Sequence, residues 1–305
     1  MAQQIMLCWV IFMINSAILI GNGINRAKNN DAWGKMIEKL SNNCGCDAFD
    51  DKCHSNFSLE FERIYFSAVN AGKIKSKYDV KKVFASLIPV LELQRLVTSL
   101  PIENHITTNY DYYLEKSILS DYSRKTTVPL TSEKKHSLFR KATIGGRYVW
   151  HIYGEQQNPA SICLGYEHYC SYLVAMHSYL TKPNENISKT PYIRYFMENE
   201  TTEVSTWMTL FFTHDIYIVG LSLSFTEMDI WWLLNYRAQF FIDNPKYKKP
   251  NIYYYFPAIN DSDLHDQLVV LNAMSVDLHP MTIHEQDWSK YYRDILLDIE
   301  RVIYN

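Results

Sequence analysis

Long apolar runs are missing from this sequence. No segment approaches the roughly 18 uninterrupted apolar residues that a membrane-spanning helix needs, so no span and no membrane partner is expected. A basic excess is missing too. Thirty Lys and Arg stand against 33 Asp and Glu, a net charge of −3, which argues against a chain whose main task is to hold nucleic acid. Cysteine is sparse, at six in 305 residues, and no Cys-x-x-Cys pair occurs. A secreted disulfide scaffold is therefore not expected, and the usual zinc-knuckle spacing is lacking. There is no internal repeat and no low-complexity tract. The length allows one large domain or two small ones, and a single domain over 1–305 is expected.

What is present is ordinary for a soluble globular chain, at 47% hydrophobic and 21% charged. Aromatics are the exception, at 14% with 23 Tyr and 7 Trp, which fits thick cores and aromatic contact surfaces. The stretch "IMLCWVIFMINSAILIG" resembles a leader. It has no basic residues before it, and Asn15 and Ser16 interrupt it. It reads as a buried N-terminal element running into a strand, and a cytoplasmic protein is expected. "CGCDAFDDKCH" gathers Cys44, Cys46, Cys53 and His54. These are either metal ligands or reduced loop thiols, and the Cys-x-Cys spacing favours thiols. Cys8, Cys163 and Cys170 read as buried thiols.

Strands and helices alternate along the chain. Strands are expected at 17–20, 147–154 and 215–223, in "NIYYYFPA" and "VDLHP", and as a short strand entering a turn over 104–111. Helices are expected over 31–40, 58–71, 78–100 with a kink at Pro89, 166–180 and 227–242, and in "YDYYLEK", "HDQLVVLNAM" and the last stretch from Trp288. "TKPNENISKTP" reads as a polar connection and "TWMTLFFTH" only as apolar. The pattern predicts an α/β fold with a Rossmann-like, mainly parallel sheet. The core is expected at about 14–30, 101–165 and 205–305, with a helical insertion or cap over about 31–100.

In open parallel sheets ligands bind outside the carboxyl ends of the strands, and three strand ends stand out. Gly21-Asn22-Gly23, followed by Asn25, is either a phosphate-holding loop or a plain strand-to-helix turn. The third glycine of the dinucleotide fingerprint is absent, since Arg26 stands there, and no acid follows about 20 residues on. Thr107-Thr108-Asn109-Tyr110-Asp111 places an amide and a carboxylate together, either in a pocket or as caps of the next helix. His151-Ile152-Tyr153-Gly154 offers a histidine that is either a general base or structural.

In this order, and with Gly220-Leu221-Ser222 at a fourth strand end, these loops resemble the sirtuin (SIR2) family. "GNGINR", "TTNYD", "GYEHYCSYL" and "IVGLSLSFTEMD" look like the SIR2-like proteins of bacterial anti-phage defence rather than the deacylases, and the likeness covers nearly the whole chain. The resemblance implies a sirtuin-type Rossmann site for NAD⁺ as substrate, with no zinc module. By that likeness Gly21, Asn22 and Gly23 face the pyrophosphate, Asn109 sits by the nicotinamide ribose, Asp111 holds the carboxamide, and Gly220 and Ser222 contact the adenosine side. Asn25, Thr107 and Thr108 complete the expected binding set.

Two departures bear on mechanism. The two Cys-x-x-Cys pairs of the deacylases are absent, which disfavours an NAD⁺-dependent deacylase and any metal. The family histidine stands directly before Gly, where this sequence has Tyr153, with His151 two residues earlier. In an extended strand both side chains share a face, so either His151, from a shifted place, or Tyr153 could serve. His151 is the expected base, because imidazole titrates near neutrality. The expected reaction is cleavage of NAD⁺ to nicotinamide and ADP-ribose. Its control is expected from a separate sensor or partner protein and from oligomerisation. The alternative is a non-catalytic subunit that binds NAD⁺ or ADP-ribose as a signal.

Overall fold

The computed structural model describes residues 15–27, 32–46, 57–87, 96–123, 137–184, 188–199, 206–224, 227–259 and 262–304. The N-terminal element before Asn15, the Pro89 kink, Cys8, Cys53 and His54 lie outside them. Nine strands occur among these residues: β1 (Ser16–Ile20), β2 (Asn104–Thr107), β3 (Lys141–Ile144), β4 (Arg147–His151), β5 (Pro183–Asn184), β6 (Ser188–Pro191), β7 (Asp215–Val219), β8 (Ile252–Pro257) and β9 (Asp277–Met281). Seven form one sheet in the order β3-β4-β2-β1-β7-β8-β9, and β5 pairs with β6 separately. Every neighbouring pair in the large sheet is parallel except the β3–β4 hairpin. The fold is α/β and Rossmann-like.

Alternation along the strands divides the core. Ala17 and Leu19 of β1 join Ile106, Ile216 and Ile218 on one face, where helices Ala32–Asn43, Phe57–Asn70, Lys77–Leu87, Tyr166–Thr181, Trp207–Thr213 and Met228–Asp243 pack. Ile18 and Ile20 join Val149, Tyr217 and Val219 on the other, covered mainly by helix Trp288–Tyr304 through Tyr291, Ile295 and Ile299. A sheet covered on both faces needs continuous apolar strands, and all five residues of β1 are buried. Between β1 and β2 the described regular elements are all helical.

Four local expectations need correction, the first being Cys170, which reads as a buried thiol and is exposed. β4 stops at His151 and a turn follows, so the alternation that would place His151 and Tyr153 on one face does not extend to Tyr153. Gly154 takes φ +102, and a Cβ there would lie 2.4 Å from the Ser161 carbonyl oxygen, so the chain must turn here with glycine. The polar connection after residue 181 carries the β5–β6 pair, and "TWMTLFFT" is a helix. The strand that begins at Asp215 ends at Val219, with Gly220 in a left-handed turn at φ +67.

Register fixes what stands at the carboxyl edge. Val219 pairs with Ile20, Ile20 with Thr107, and Thr107 with His151. The loops that leave these four residues therefore start side by side. The chain runs from β1 to β2 on one side of β1 and reaches β7 on the other, so β1 is the topological switch point where open α/β sheets hold ligands.

The first and last of these loops interlock. Gly21 N–H donates to the Val219 carbonyl at 2.9 Å and Gly23 N–H to the Gly220 carbonyl at 2.7 Å. A Cβ on Gly21 would lie 2.3 Å from Gly220 O, a backbone atom that cannot step aside. Gly21→Ala is therefore expected to destabilise by about 2 kcal/mol or more and to lower Tm by on the order of 5 °C. Thermal melting checks this, with Ser222→Ala, an exposed position in the partner loop, expected to melt like the parent.

Candidate active site

β1 delivers Gly21 to the centre of the carboxyl edge, and a short 3₁₀ helix, Asn22–Ala27, follows it directly. Asn25 is buried and its side-chain amide donates to Asn22 Oδ1 at 2.7 Å. The N–H groups of Gly21 and Gly23, expected to face a pyrophosphate, are spent on the Val219 and Gly220 carbonyls. These glycines serve the contact between the two loops. Gly220 lies against them, while the Ser222 side chain is exposed and its carbonyl accepts the Tyr254 hydroxyl at 3.2 Å.

The Thr-Thr-Asn-Tyr-Asp loop is tied to β1 at several points. Thr107 Oγ1 donates to the Ile20 carbonyl at 3.2 Å and accepts Asn109 N–H at 3.0 Å. Thr108 N–H donates to the same carbonyl at 3.2 Å. Asn109 Nδ2 donates to the Gly21 carbonyl at 3.5 Å, which joins the second loop to the first. Asp111 Oδ1 accepts Tyr113 N–H at 3.0 Å, a local turn that leads into helix Tyr113–Ile118, whose N-cap is Tyr112 and carries no side-chain cap. Asp111 keeps some solvent exposure. Its carboxyl is nevertheless pushed up to about 7, chiefly by burial; the Tyr113 N–H and the His151 charge pull it back, and Glu115 pushes it further up.

His151 is enclosed completely. Its Nδ1 lies 3.0 Å from the Asn109 carbonyl oxygen and its Nε2 2.6 Å from Glu115 Oε1, with both side chains of that pair fully buried. Tyr112 meets the ring edge-on and donates its hydroxyl to Glu155 Oε2 at 3.1 Å. Glu155 in turn faces Arg140 at 3.7 Å. Burial alone would push the imidazole down. The charge and hydrogen bond of Glu115, with Glu155 and the Asn109 carbonyl, outweigh it and raise His151 above the ordinary histidine range. With both ring nitrogens engaged inside the protein, His151 has no lone pair to offer a ribose hydroxyl, unlike the base the sequence suggests. Tyr153 is also buried, and it points elsewhere. Its hydroxyl donates to Asp229 Oδ1 at 3.0 Å, and its ring meets those of Tyr169 and Tyr172. Burial raises the phenol well above its usual range, so it is a poor base.

Comparison with known proteins now adds to this geometry. The family model described as "SIR2-like domain" matches residues 103–276, more than half of the chain. The chain belongs to the SIR2-like family. Two curated relatives are both named NAD(+) hydrolase ThsA. The one from Bacillus cereus (strain MSX-D12) is 21% identical over 169 residues, 54% of this chain and 33% of that protein. The one from Enterococcus faecium is 28% identical over 112 residues, 35% of this chain and 22% of that protein. The chain thus spans about a third or less of the length of these curated relatives.

Several residues that this SIR2-like chain gathers at the edge escape a reading by motif. Glu115 follows Asp111 by four residues, a spacing that puts two carboxylates on one helical face and could have pointed to it. Arg140 and Glu155 carry no such signal. Glu227 and Asp229 read as the usual acidic start of a helix. Yet Asp229 is buried, and among the described residues its Oδ2 and Glu227 Oε2 are enclosed without a hydrogen-bond partner. Among the described residues no three His, Cys, Asp or Glu are grouped to hold a metal ion. Cys44 is buried, its thiol pushed up to about 11 by burial and by Cys46, whose own sulfur contacts the Ile64 carbonyl.

Burial pushes Asp229 up to about 6, against the pull of the Tyr153 hydroxyl. Burial and then the Asp229 charge push Glu227 up to about 8. The folded chain thus binds these protons more tightly than the unfolded chain, whose carboxyls titrate near pH 4. Their contribution to stability is therefore present below about pH 4 and is lost progressively as pH rises toward about 8. The double variant Asp229→Asn/Glu227→Gln is expected to lose this dependence. Its Tm relative to the parent should rise steadily between pH 5 and pH 8 in a series of thermal melts; a constant difference would contradict the assignment.

Proposed function

We propose that this chain is an NAD⁺ hydrolase that cleaves the bond between nicotinamide and ribose, giving nicotinamide and ADP-ribose. The observation that carries the proposal is the position of Asn109. It stands at the switch point, tied to the Gly21 carbonyl by its side chain and to His151 by its backbone. Membership of the SIR2-like family and the names of the curated relatives support the same reading.

The chemistry asks little of the protein. The leaving group is neutral, and the transition state resembles an oxocarbenium ion, as in other glycosyl cleavages. The site must orient the ribose, stabilise growing positive charge and admit one water. With its amide N–H given to Gly21, Asn109 presents Oδ1 to the ribose carbon and to the water that attacks it. Asp111, beside it and in contact with solvent, faces the nicotinamide and takes the proton the water releases. Asn22, Asn25, Thr107 and Thr108 line the path to the pyrophosphate, and the Gly220–Ser222 loop takes the adenosine side. His151 stands behind Asn109 and supports it. On the resemblance to defence proteins, we assign the activity to anti-phage defence, held off by a separate sensor or by self-association.

A second reading has one observation in its favour. Neither His151 nor Tyr153 has a free basic atom, which suits a pocket that binds NAD⁺ or ADP-ribose without cleaving it. One experiment separates the two readings. The parent and Asn109→Ala are each incubated with NAD⁺, with and without lysate of phage-infected cells, and nicotinamide is followed by chromatography. Asn109→Ala is expected to fold normally and to release nicotinamide at least about a hundredfold more slowly. Near-parental turnover by the folded variant would remove Asn109 from the reaction. Binding by the parent without release under either condition would establish the second reading.

A further inference from the structure

Glu115 has no part in the family motifs, yet it makes the shortest contact of His151. Its Oε1 lies 2.6 Å from Nε2, and its Oε2 is enclosed with no hydrogen-bond partner among the described residues. On the other side of the ring, Nδ1 faces the backbone carbonyl of Asn109 at 3.0 Å. A carbonyl cannot donate, so the proton of that bond must sit on Nδ1. The Nε2–Oε1 bond then holds one more proton. Whichever atom carries it, the ring is clamped at both ends and its Nδ1–H points at Asn109.

Among the described residues the ring has no other anchor of comparable strength. Tyr112 meets it edge-on, and Asp111 and Glu155 act on it only through their charge, the latter balanced by Arg140. Asn109 itself sits in the loop after β2. Its N–H is held by Thr107 and its side chain reaches Gly21 through a long 3.5 Å contact. The His151 bond is what fixes the carbonyl side of this residue.

We propose that Glu115 is a positioning residue of the site: by clamping His151 it aims Nδ1–H at the Asn109 carbonyl and so holds the Asn109 side chain in its working orientation. The inference rests on the hydrolase reading above for its kinetic consequence and on geometry alone for its structural one. Orientation depends on reach rather than on charge. Gln at 115 keeps the reach and can donate its amide N–H to a neutral Nε2, leaving Nδ1–H in place. Asp keeps the charge but is one methylene too short.

The test compares full-length parent, Glu115→Gln and Glu115→Asp by two readouts. In ¹⁵N-labelled protein, the Nδ1–H resonance of His151 and the side-chain amide of Asn109 are followed, assigned with His151→Gln and Asn109→Ala. Both signals are expected unchanged in Glu115→Gln. In Glu115→Asp the first should be lost and the second shifted. In nicotinamide release from NAD⁺, kcat is expected to fall roughly a hundredfold in Glu115→Asp with KM little altered, and to remain near the parent's in Glu115→Gln. The reverse order, with Asp active and Gln dead, would show that charge matters rather than aim and would overturn the proposal. So would an Asn109 resonance that stays put in Glu115→Asp. If the parent releases no nicotinamide either with or without lysate of phage-infected cells, the hydrolase reading fails, and the resonances still decide whether Glu115 positions Asn109.

Discussion

The site depends on strand register. Four parallel strands pair so that Val219, Ile20, Thr107 and His151 form one row at the carboxyl edge. In a sheet buried on both faces, a slip by one residue would turn every apolar side chain to the wrong layer. The apolar alternation that divides the core therefore also sets the height at which each loop leaves the sheet. Gly220, Gly21, Thr108 and Ile152 begin at one level because Ile18 and Ile20 belong to one layer and Ala17 and Leu19 to the other.

On that level frame the protein places a buried set of charges. Glu115 pairs with His151, and Glu155 faces Arg140, all four side chains almost wholly out of solvent. Such pairs seldom stabilise a fold more than apolar packing would, while removing one partner costs roughly 3 to 5 kcal/mol. Their presence at the carboxyl edge is better explained by what they hold than by stability. His151 connects the two groups, since Tyr112 lies against its ring and reaches Glu155 with its hydroxyl. The group that emerges into contact with solvent beside Asn109 is Asp111.

Much of the fold was legible in the sequence because period and punctuation agree. β1 before its glycine, β8, and the helices at Tyr166–Thr181, Met228–Asp243 and Trp288–Tyr304 lie close to where apolar spacing puts them. Trp207–Thr213 was illegible as a helix because six of its seven residues are buried, which leaves no polar face to reveal the period. β3 is a four-residue edge strand, and the Gly145-Gly146 pair, both at positive φ, was the hairpin signal that could have shown it. The candidate site was half legible. Loop motifs mark Gly21, Asn109, Asp111 and Gly220, since these stand at strand ends. Of the residues around His151 only Glu115 had a signal, its spacing from Asp111; Arg140 and Glu155 come from separate segments and meet it only through the β2–β4–β3 pairing. The end of β4 mattered most. A strand three residues shorter than alternation suggested sends Tyr153 to Asp229 and leaves His151 with Glu115.

The central claim is that the edge formed by β7, β1, β2 and β4 is an NAD⁺ site with Asn109 at the bond that breaks. A crystal structure of the Asn109→Ala variant with intact NAD⁺ tests this most directly. The account predicts the nicotinamide ribose against position 109, the carboxamide toward Asp111 and the adenosine beside the Gly220–Ser222 loop. NAD⁺ bound away from this edge, or lying along it with its adenosine at Asn109 and its nicotinamide at Ser222, would contradict it.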